Sequence, residues 1–370
     1  MGAKSLPSTR IARLQAKLKR KKFDAVLISQ PDNRRYLSGY TAKDHGIQEP
    51  AGFLLIPANG KPYLLTDSRF TLQAEQETSG FEIAIYTKGL IKLLKKLLPQ
   101  IGVQRLAFES HYTLHSTHSN MLNMGRKISL ELVPTKDMLE KMRLIKTEEE
   151  LALIRESTRI NEQVFQSVYL SIEPGMTEQE VALAIDLTMK EMGAEGPSFE
   201  TIVAFGPNAA KPHAVPGDTI LQSGDIVLID MGLIYKGYCS DMTRTFVAGK
   251  PDNQYLERHR LVRKAQLAGI AALKPGVTGQ EVDQAARKIF DDAGYGKAFQ
   301  HSLGHGVGVA VHEEPRLSPL SQRTLKPGMV VTIEPGMYIP EWGGIRLENI
   351  AIVTPDGCEV INKDTTCLDL

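Results

Sequence analysis

Pro174-Gly175-Met176-Thr177-Glu178-Gln179-Glu180-Val181 recurs 101 residues later as Pro275-Gly276-Val277-Thr278-Gly279-Gln280-Glu281-Val282. In each copy a Thr stands three residues before a Glu, which predicts a helix start with a reciprocal capping box. Later in each half comes an apolar run that ends in an acid. Leu221-Gln222-Ser223-Gly224-Asp225-Ile226-Val227-Leu228-Ile229-Asp230 parallels Leu325-Lys326-Pro327-Gly328-Met329-Val330-Val331-Thr332-Ile333-Glu334. Two such halves predict a pseudo-symmetric α+β domain, with a ligand seated where the halves meet.

The acids at the strand ends carry the chemistry. Asp230 and Glu334 adjoin apolar sequence, and a buried carboxylate is costly unless it is paired or bound to a cation. Each has a second acid downstream, Asp241 and Glu348. Tyr235-Lys236-Gly237 lies midway between the first pair and Pro340-Glu341-Trp342-Gly343-Gly344 midway between the second. Both stretches are turn-rich, so each pair is expected to face across a hairpin. Opposed carboxylates on adjacent strands repel, and two such pairs make sense if cations sit between them. His305, in Gly304-His305-Gly306-Val307-Gly308, adds an imidazole among residues small enough for close backbone approach. Four carboxylates and one imidazole suit two divalent ions: Mn²⁺, Co²⁺, Fe²⁺ or Zn²⁺ rather than a thiolate-seeking ion. The Gly-rich stretch is not a phosphate loop, because G-x-x-x-x-G-K-[ST] is absent.

Working outward, Glu148 to Ile172 reads as a long helix, and the domain boundary is placed just before it. Domains of 1–141 and 142–370 are expected. In the first, Arg10 to Lys22 puts Ile11, Leu14 and Leu18 on one helical face. Phe23 to Ser29 reads as a buried strand. Gly52 to Ile56 and Tyr63 to Thr66 read as a strand pair around Asn59-Gly60. This is an α/β domain without a catalytic cluster of its own.

Composition excludes several classes. Lys plus Arg is 44 and Asp plus Glu is 43, for a net charge of +1 over 370 residues, so neither nucleic acid nor an anionic membrane is an expected partner. No apolar run is long enough to span a bilayer. The basic stretch Met1 to Lys22 has no apolar h-region, so it is not read as a secretory signal. Met1-Gly2 does not begin a myristoylation motif, because Leu6 occupies the Ser/Thr position. Cys239, Cys358 and Cys367 form neither a disulfide framework nor a zinc knuckle, which fits a reduced, cytoplasmic setting.

At these residues the sequence resembles the pita-bread metallopeptidases of the creatinase, aminopeptidase P and prolidase family, nearest their proline-specific branch. The motifs are Asp241-Met242-Thr243-Arg244-Thr245, His301-Ser302-Leu303-Gly304-His305-Gly306-Val307-Gly308, Ile333-Glu334-Pro335-Gly336 and Arg346-Leu347-Glu348-Asn349. Ser29 to Tyr40 and Asp67-Ser68-Arg69-Phe70 look like the creatinase-type N-terminal domain. The resemblance implies a creatinase-like α/β domain before a pita-bread domain, two metal ions (Mn²⁺ foremost) and a homodimer. It implies hydrolysis of the bond between a first residue and a proline at the second position.

It also implies roles. Asp241 and Glu348 would bridge both ions, Asp230 would bind one, and His305 with Glu334 the other. Glu334 would also deprotonate the attacking water. His213 would stand on the substrate side, His312 would steady the tetrahedral intermediate, and His301 would line the site. Arg346 would support the carboxylates from behind. Within this reading, an aminopeptidase acting on longer peptides competes with a prolidase restricted to dipeptides, for which Arg316 is a candidate grip on the free carboxylate. A metal-free creatinase-like hydrolase and a non-catalytic binding protein are the rivals outside it. All five ligand positions are filled, which argues against both.

Overall fold

The computed structural model describes residues 6–370. Met1-Gly2, read above for lipidation, lies outside them. The chain forms two compact units that divide between Glu140 and Lys141.

The first unit is built on one six-stranded sheet. Its strands are β1 (Ala25–Ile28), β2 (Phe53–Pro57), β3 (Tyr63–Thr66), β4 (Glu82–Ile85), β5 (Arg105–Glu109) and β6 (Glu131–Thr135), in the order β4-β3-β2-β1-β5-β6. Every residue of β1 is buried, as its unbroken apolar run requires for a central strand covered on both faces. The expected hairpin is present: β2 pairs antiparallel with β3, and Gly60 supplies the positive φ of the turn. The Leu6–Lys21 helix buries Ile11, Leu14 and Leu18 as its spacing predicts. It also buries Arg10, whose guanidinium lies 3.9 Å from the centre of the Tyr36 ring.

The second unit shows the repeat in three dimensions. Helices Glu148–Tyr169 and Glu178–Glu191 serve the first half, and Asn253–Ala272 and Gly279–Asp292 the second. Both capping boxes form, with identical N-cap backbone angles at Thr177 and Thr278 (φ −90°, ψ 159°). Each N-cap also makes a matching bridge, Thr177 to Ile220 and Thr278 to Thr324. In the first half, Ile202–Phe205 and Met242–Val247 flank Ile226–Met231 in an antiparallel sheet. In the second, Gly304–Gly306, Val330–Ile333 and Asn349–Val353 form the centre of a five-stranded sheet.

Ile226–Met231 is buried throughout because each face meets a different core. Val227, Ile229 and Met231 pack in the first-half cluster, and Ile226 and Leu228 in the second-half cluster. Complete burial of one such aliphatic side chain contributes about 1.5–3 kcal/mol, so the register of this strand is firmly set. Asp230 shares the face of Leu228 by strand alternation.

The register of the first acid pair departs from the expected one. Asp230 lies opposite Thr243, not Asp241. The hairpin turns at Lys236 and Gly237, both with positive φ, one residue later than the midpoint of the two acids. Asp241 therefore sits diagonally from Asp230, on the same face. In the second half, Ile333 pairs with Asn349 and Gly336 with Arg346. That register carries Glu334 and Glu348 to facing positions, as expected.

Candidate metal centre

The acids enter one cavity of about 620 Å³ from both halves of the second unit. Asp230, Asp241, His305, Glu334 and Glu348 all line it, together with His213, His301, His312 and Arg346. Every position expected from sequence to serve the site is thus brought to one place. The arrangement within it is uneven. One ligand atom each of Asp241, His305 and Glu348 lie within 4.8 Å of one another. Asp230 and Glu334 stand outside that tightest group, on different supports.

Asp230 is held by Arg346, whose Nη2 donates to Asp230 Oδ2 at 2.7 Å. Arg346 Nε donates to Thr243 Oγ1 at 3.0 Å, and Thr243 Oγ1 donates to Glu348 Oε2 at 2.6 Å. Arg346 Nη1 meets the Tyr338 hydroxyl at 2.7 Å, and that hydroxyl meets His301 Nε2 at 2.9 Å. Glu334 is supported separately. Its Oε1 accepts from Thr332 Oγ1 at 3.1 Å and lies 3.2 Å from His305 Nε2, which is also 3.5 Å from Asp241 Oδ2. The His312 ring packs edge-on against His305, with centroids 4.4 Å apart.

The glycines around His305 serve close approach. A Cβ on Gly304 would fall 2.0 Å from Thr332 O, and one on Gly306 would fall 2.3 Å from Glu314 O. Any side chain there would push the His305 strand away from its neighbours.

Burial sets the electrostatics. It raises the Asp230 carboxyl, with Arg346 opposing and Glu334 adding to the rise. Burial, then Glu348 and Asp230, pushes Asp241 well above its ordinary value. Burial, then Glu334 and Asp230, does the same to Glu348. Glu334 goes the other way. Burial would raise it, but the hydrogen bond and charge of His305, with His301 and Arg346, hold it at about 2. Burial, reinforced by His305 and Arg316, brings His312 down to about 4. Burial also lowers His301.

These residues fit divalent cations. Asp230 Oδ1 and Glu348 Oε1 are buried without a hydrogen-bond partner, while the second oxygen of each is tied to Arg346 or Thr243. A carboxylate so arranged has one oxygen oriented by the protein and one left for a ligand. Crowded carboxyls that resist ionisation together ionise readily once cations share their space.

Three supports, Thr243, Thr332 and Tyr338, were not expected from the sequence. Thr243 stands two residues after Asp241 and Thr332 two before Glu334, so strand alternation alone puts each on the ligand face. Tyr338 gave no such signal, because Pro335 separates its strand from that of Glu334.

The model of metallopeptidase family M24 matches residues 152–355, and that of the creatinase/prolidase N-terminal domain matches residues 10–145. An uncharacterised peptidase of Bacillus subtilis is 40% identical over 340 residues, 92% of this chain and 93% of that protein. The solved structure of an Xaa-Pro dipeptidase from Bacillus anthracis has a TM-score of 0.89 at 37% identity, covering 97% of this chain and 98% of that one. That of an X-Pro aminopeptidase from Thermotoga maritima has a TM-score of 0.89 at 34% identity, covering 96% and 97%. From the duplicated acids, their shared cavity and these likenesses, this chain belongs to metallopeptidase family M24 and carries a creatinase/prolidase N-terminal domain.

Proposed function

We propose that this protein is an Xaa-Pro metallopeptidase that removes the residue preceding a proline from the N-terminus of peptides. The observation that carries the reading is the convergence of four carboxylates and one imidazole, with one oxygen of Asp230 and one of Glu348 left unpartnered in a buried space. Asp241 and Glu348 would hold both cations, Asp230 one, and His305 with Glu334 the other. When bound, two divalent ions acidify a water and offer positive charge to a developing oxyanion.

The chain's own groups do the rest. Thr332 Oγ1 donates to Glu334 Oε1 and keeps the carboxylate oriented, so Glu334 would take the proton of the attacking water and pass it to the leaving proline nitrogen. That nitrogen has no N–H in the substrate and needs a proton to depart. His312, neutral at pH 7 because of its depressed value, donates an N–H to the carbonyl oxygen as charge develops there. His213 borders the substrate from the loop side of the cavity. Arg346 keeps Asp230 oriented through every step.

A second reading, restriction to Xaa-Pro dipeptides, is supported by Arg316. It lines the same cavity as His312 and offers a guanidinium for a free C-terminal carboxylate. Relatives from Pyrococcus horikoshii (35% identical) and Pyrococcus furiosus (36%) are both named Xaa-Pro dipeptidase. Rates on Xaa-Pro and Xaa-Pro-Xaa peptides, each with Mn²⁺, Co²⁺ and Zn²⁺, decide between the two. Cleavage of the tripeptides at a rate near that of the dipeptides supports the aminopeptidase. Cleavage of neither class overturns the proposal.

The oxygen-rich ligand set supports Mn²⁺ as the working metal. The absence of disulfide-type cysteine spacing supports a reducing, cytoplasmic setting. A domain boundary at residues 141–142 agrees with the compact units, and limited proteolysis tests it. The family resemblance supports a homodimer, which sedimentation of the purified chain tests.

A further inference from the structure

The loop from Gly206 to Gly217 forms one wall of the candidate site, through Pro212, His213, Ala214 and Val215. Val215 at its tip is 79% exposed, while Ala209 and Ala214 are buried in the second-half core. Two polar supports add to that packing. On the inner side, Arg346 Nη1 donates to Pro212 O at 3.2 Å, so the guanidinium that orients Asp230 also touches the loop. On the outer side stands Glu178. Its Oε1 accepts from Phe205 N at 2.8 Å, just before the loop, and its Oε2 accepts from Gly217 N at 3.0 Å, at the loop's end. Asn208 Nδ2, within the loop, adds a third bond to Oε1 at 3.0 Å. A single carboxylate thus bonds to both ends of the wall, alongside the backbone bond from Gln179 N to Gly217 O at 3.2 Å.

Glu178 is only 1% exposed. The donors it receives are two backbone amides and one side-chain amide, all neutral. Burying an acid on neutral partners is costly, even at a helix N-terminus that favours negative charge, so helix capping alone does not explain it. The internal repeat separates the two tasks. Thr177 with Glu180 and Thr278 with Glu281 cap the helices in both halves. The position matching Glu178 in the second half is Gly279, where a Cβ would fall 2.1 Å from Arg316 O. Helix initiation therefore needs no acid at this position, and the second half puts a neighbouring backbone where the first half puts a carboxylate.

We propose that Glu178 is a positioning residue that latches the 206–217 loop and thereby sets the substrate wall carrying His213. Its kinetic consequence rests on the reading of the cavity as an Xaa-Pro site. Its structural consequence does not.

The test compares Glu178→Gln and Glu178→Ala with the parent by hydrogen exchange, Mn²⁺ stoichiometry and kinetics. Gln presents an NH₂ group to one of the two loop ends, and donor then faces donor. Local amides at 205–217 should exchange about tenfold faster or more in both variants, in metal-free and Mn²⁺-loaded protein alike. KM for an Xaa-Pro peptide should rise about tenfold, with Mn²⁺ stoichiometry unchanged. Loop exchange and KM equal to the parent would overturn the latch. So would exchange raised evenly over the whole second unit with loss of Mn²⁺, which makes Glu178 a general folding residue. If Glu178→Ala fails to fold, the isosteric Gln variant alone supplies the comparison. If the parent cleaves no Xaa-Pro peptide, the functional reading fails, and the exchange measurement still decides the latch.

Discussion

Asp230 and Glu348 each commit one oxygen to the protein and keep the other. The committed oxygens belong to one network, since Arg346 holds Asp230 and also meets Thr243, which donates to Glu348. Removing a support of this kind should loosen metal binding without removing a ligand. Arg346→Ala is expected to weaken Mn²⁺ binding by about 10–100-fold, read by calorimetry on chelator-stripped protein. Thr243→Val keeps the shape but leaves Glu348 Oε2 and Arg346 Nε without their shared partner. It is expected to lower unfolding stability by about 1–3 kcal/mol, read by urea titration, and to weaken Mn²⁺ binding about tenfold. At this scale Asp230 and Glu334 were legible as candidate ligands, because each ends an apolar run. Tyr338 and Glu178 were not. Their partners, Arg346 and His301 for one and the ends of a distant loop for the other, come together only through tertiary folding.

Among the elements, helix starts were the most readable, since a capping box is entirely local. Thr278→Ala should cost about 1 kcal/mol of unfolding free energy, measured by denaturant titration. Hairpin register was less readable. The turn chemistry at Lys236-Gly237 outranked the symmetry of the two acids, and Asp230 came to face Thr243. The Glu313–Leu317 strand makes a contact that no local pattern announces. Glu313 is buried against Lys146, at 2.7 Å, and Arg143. Burial would raise the Glu313 carboxyl, but the two cations outweigh it and hold the group below its ordinary 4.5. A carboxyl depressed in the folded state stabilises above the unfolded value, and that contribution drains away as pH falls through the folded one. Glu313→Gln should therefore lower stability at pH 7 by about 3–5 kcal/mol, because it takes the carboxylate away from the buried Lys146 ammonium. The gap between variant and parent should narrow as pH falls below about 4.5, which thermal melts across pH will show.

For the whole molecule, the duplication made the second unit legible: two copies of helix start, strand and acid pair imply a centre between them. The sheet order of the first unit was not legible. β1 and β5 are neighbours though far apart in the chain, and parallel pairing across such a separation leaves no local mark. Bound metal should stabilise the fold as well as equip the site. Mn²⁺ at a hundred times its dissociation constant should add about 2.7 kcal/mol per site, visible as a melting temperature that rises with added Mn²⁺ and falls with chelator. On the proposed reading, acids from both halves hold a pair of cations. Anomalous diffraction from crystals grown with Mn²⁺ addresses it directly. Two peaks are predicted, both among Asp230, Asp241, His305, Glu334 and Glu348, with Asp241 and Glu348 touching each. No peak among those five side chains, or a single one, would contradict it.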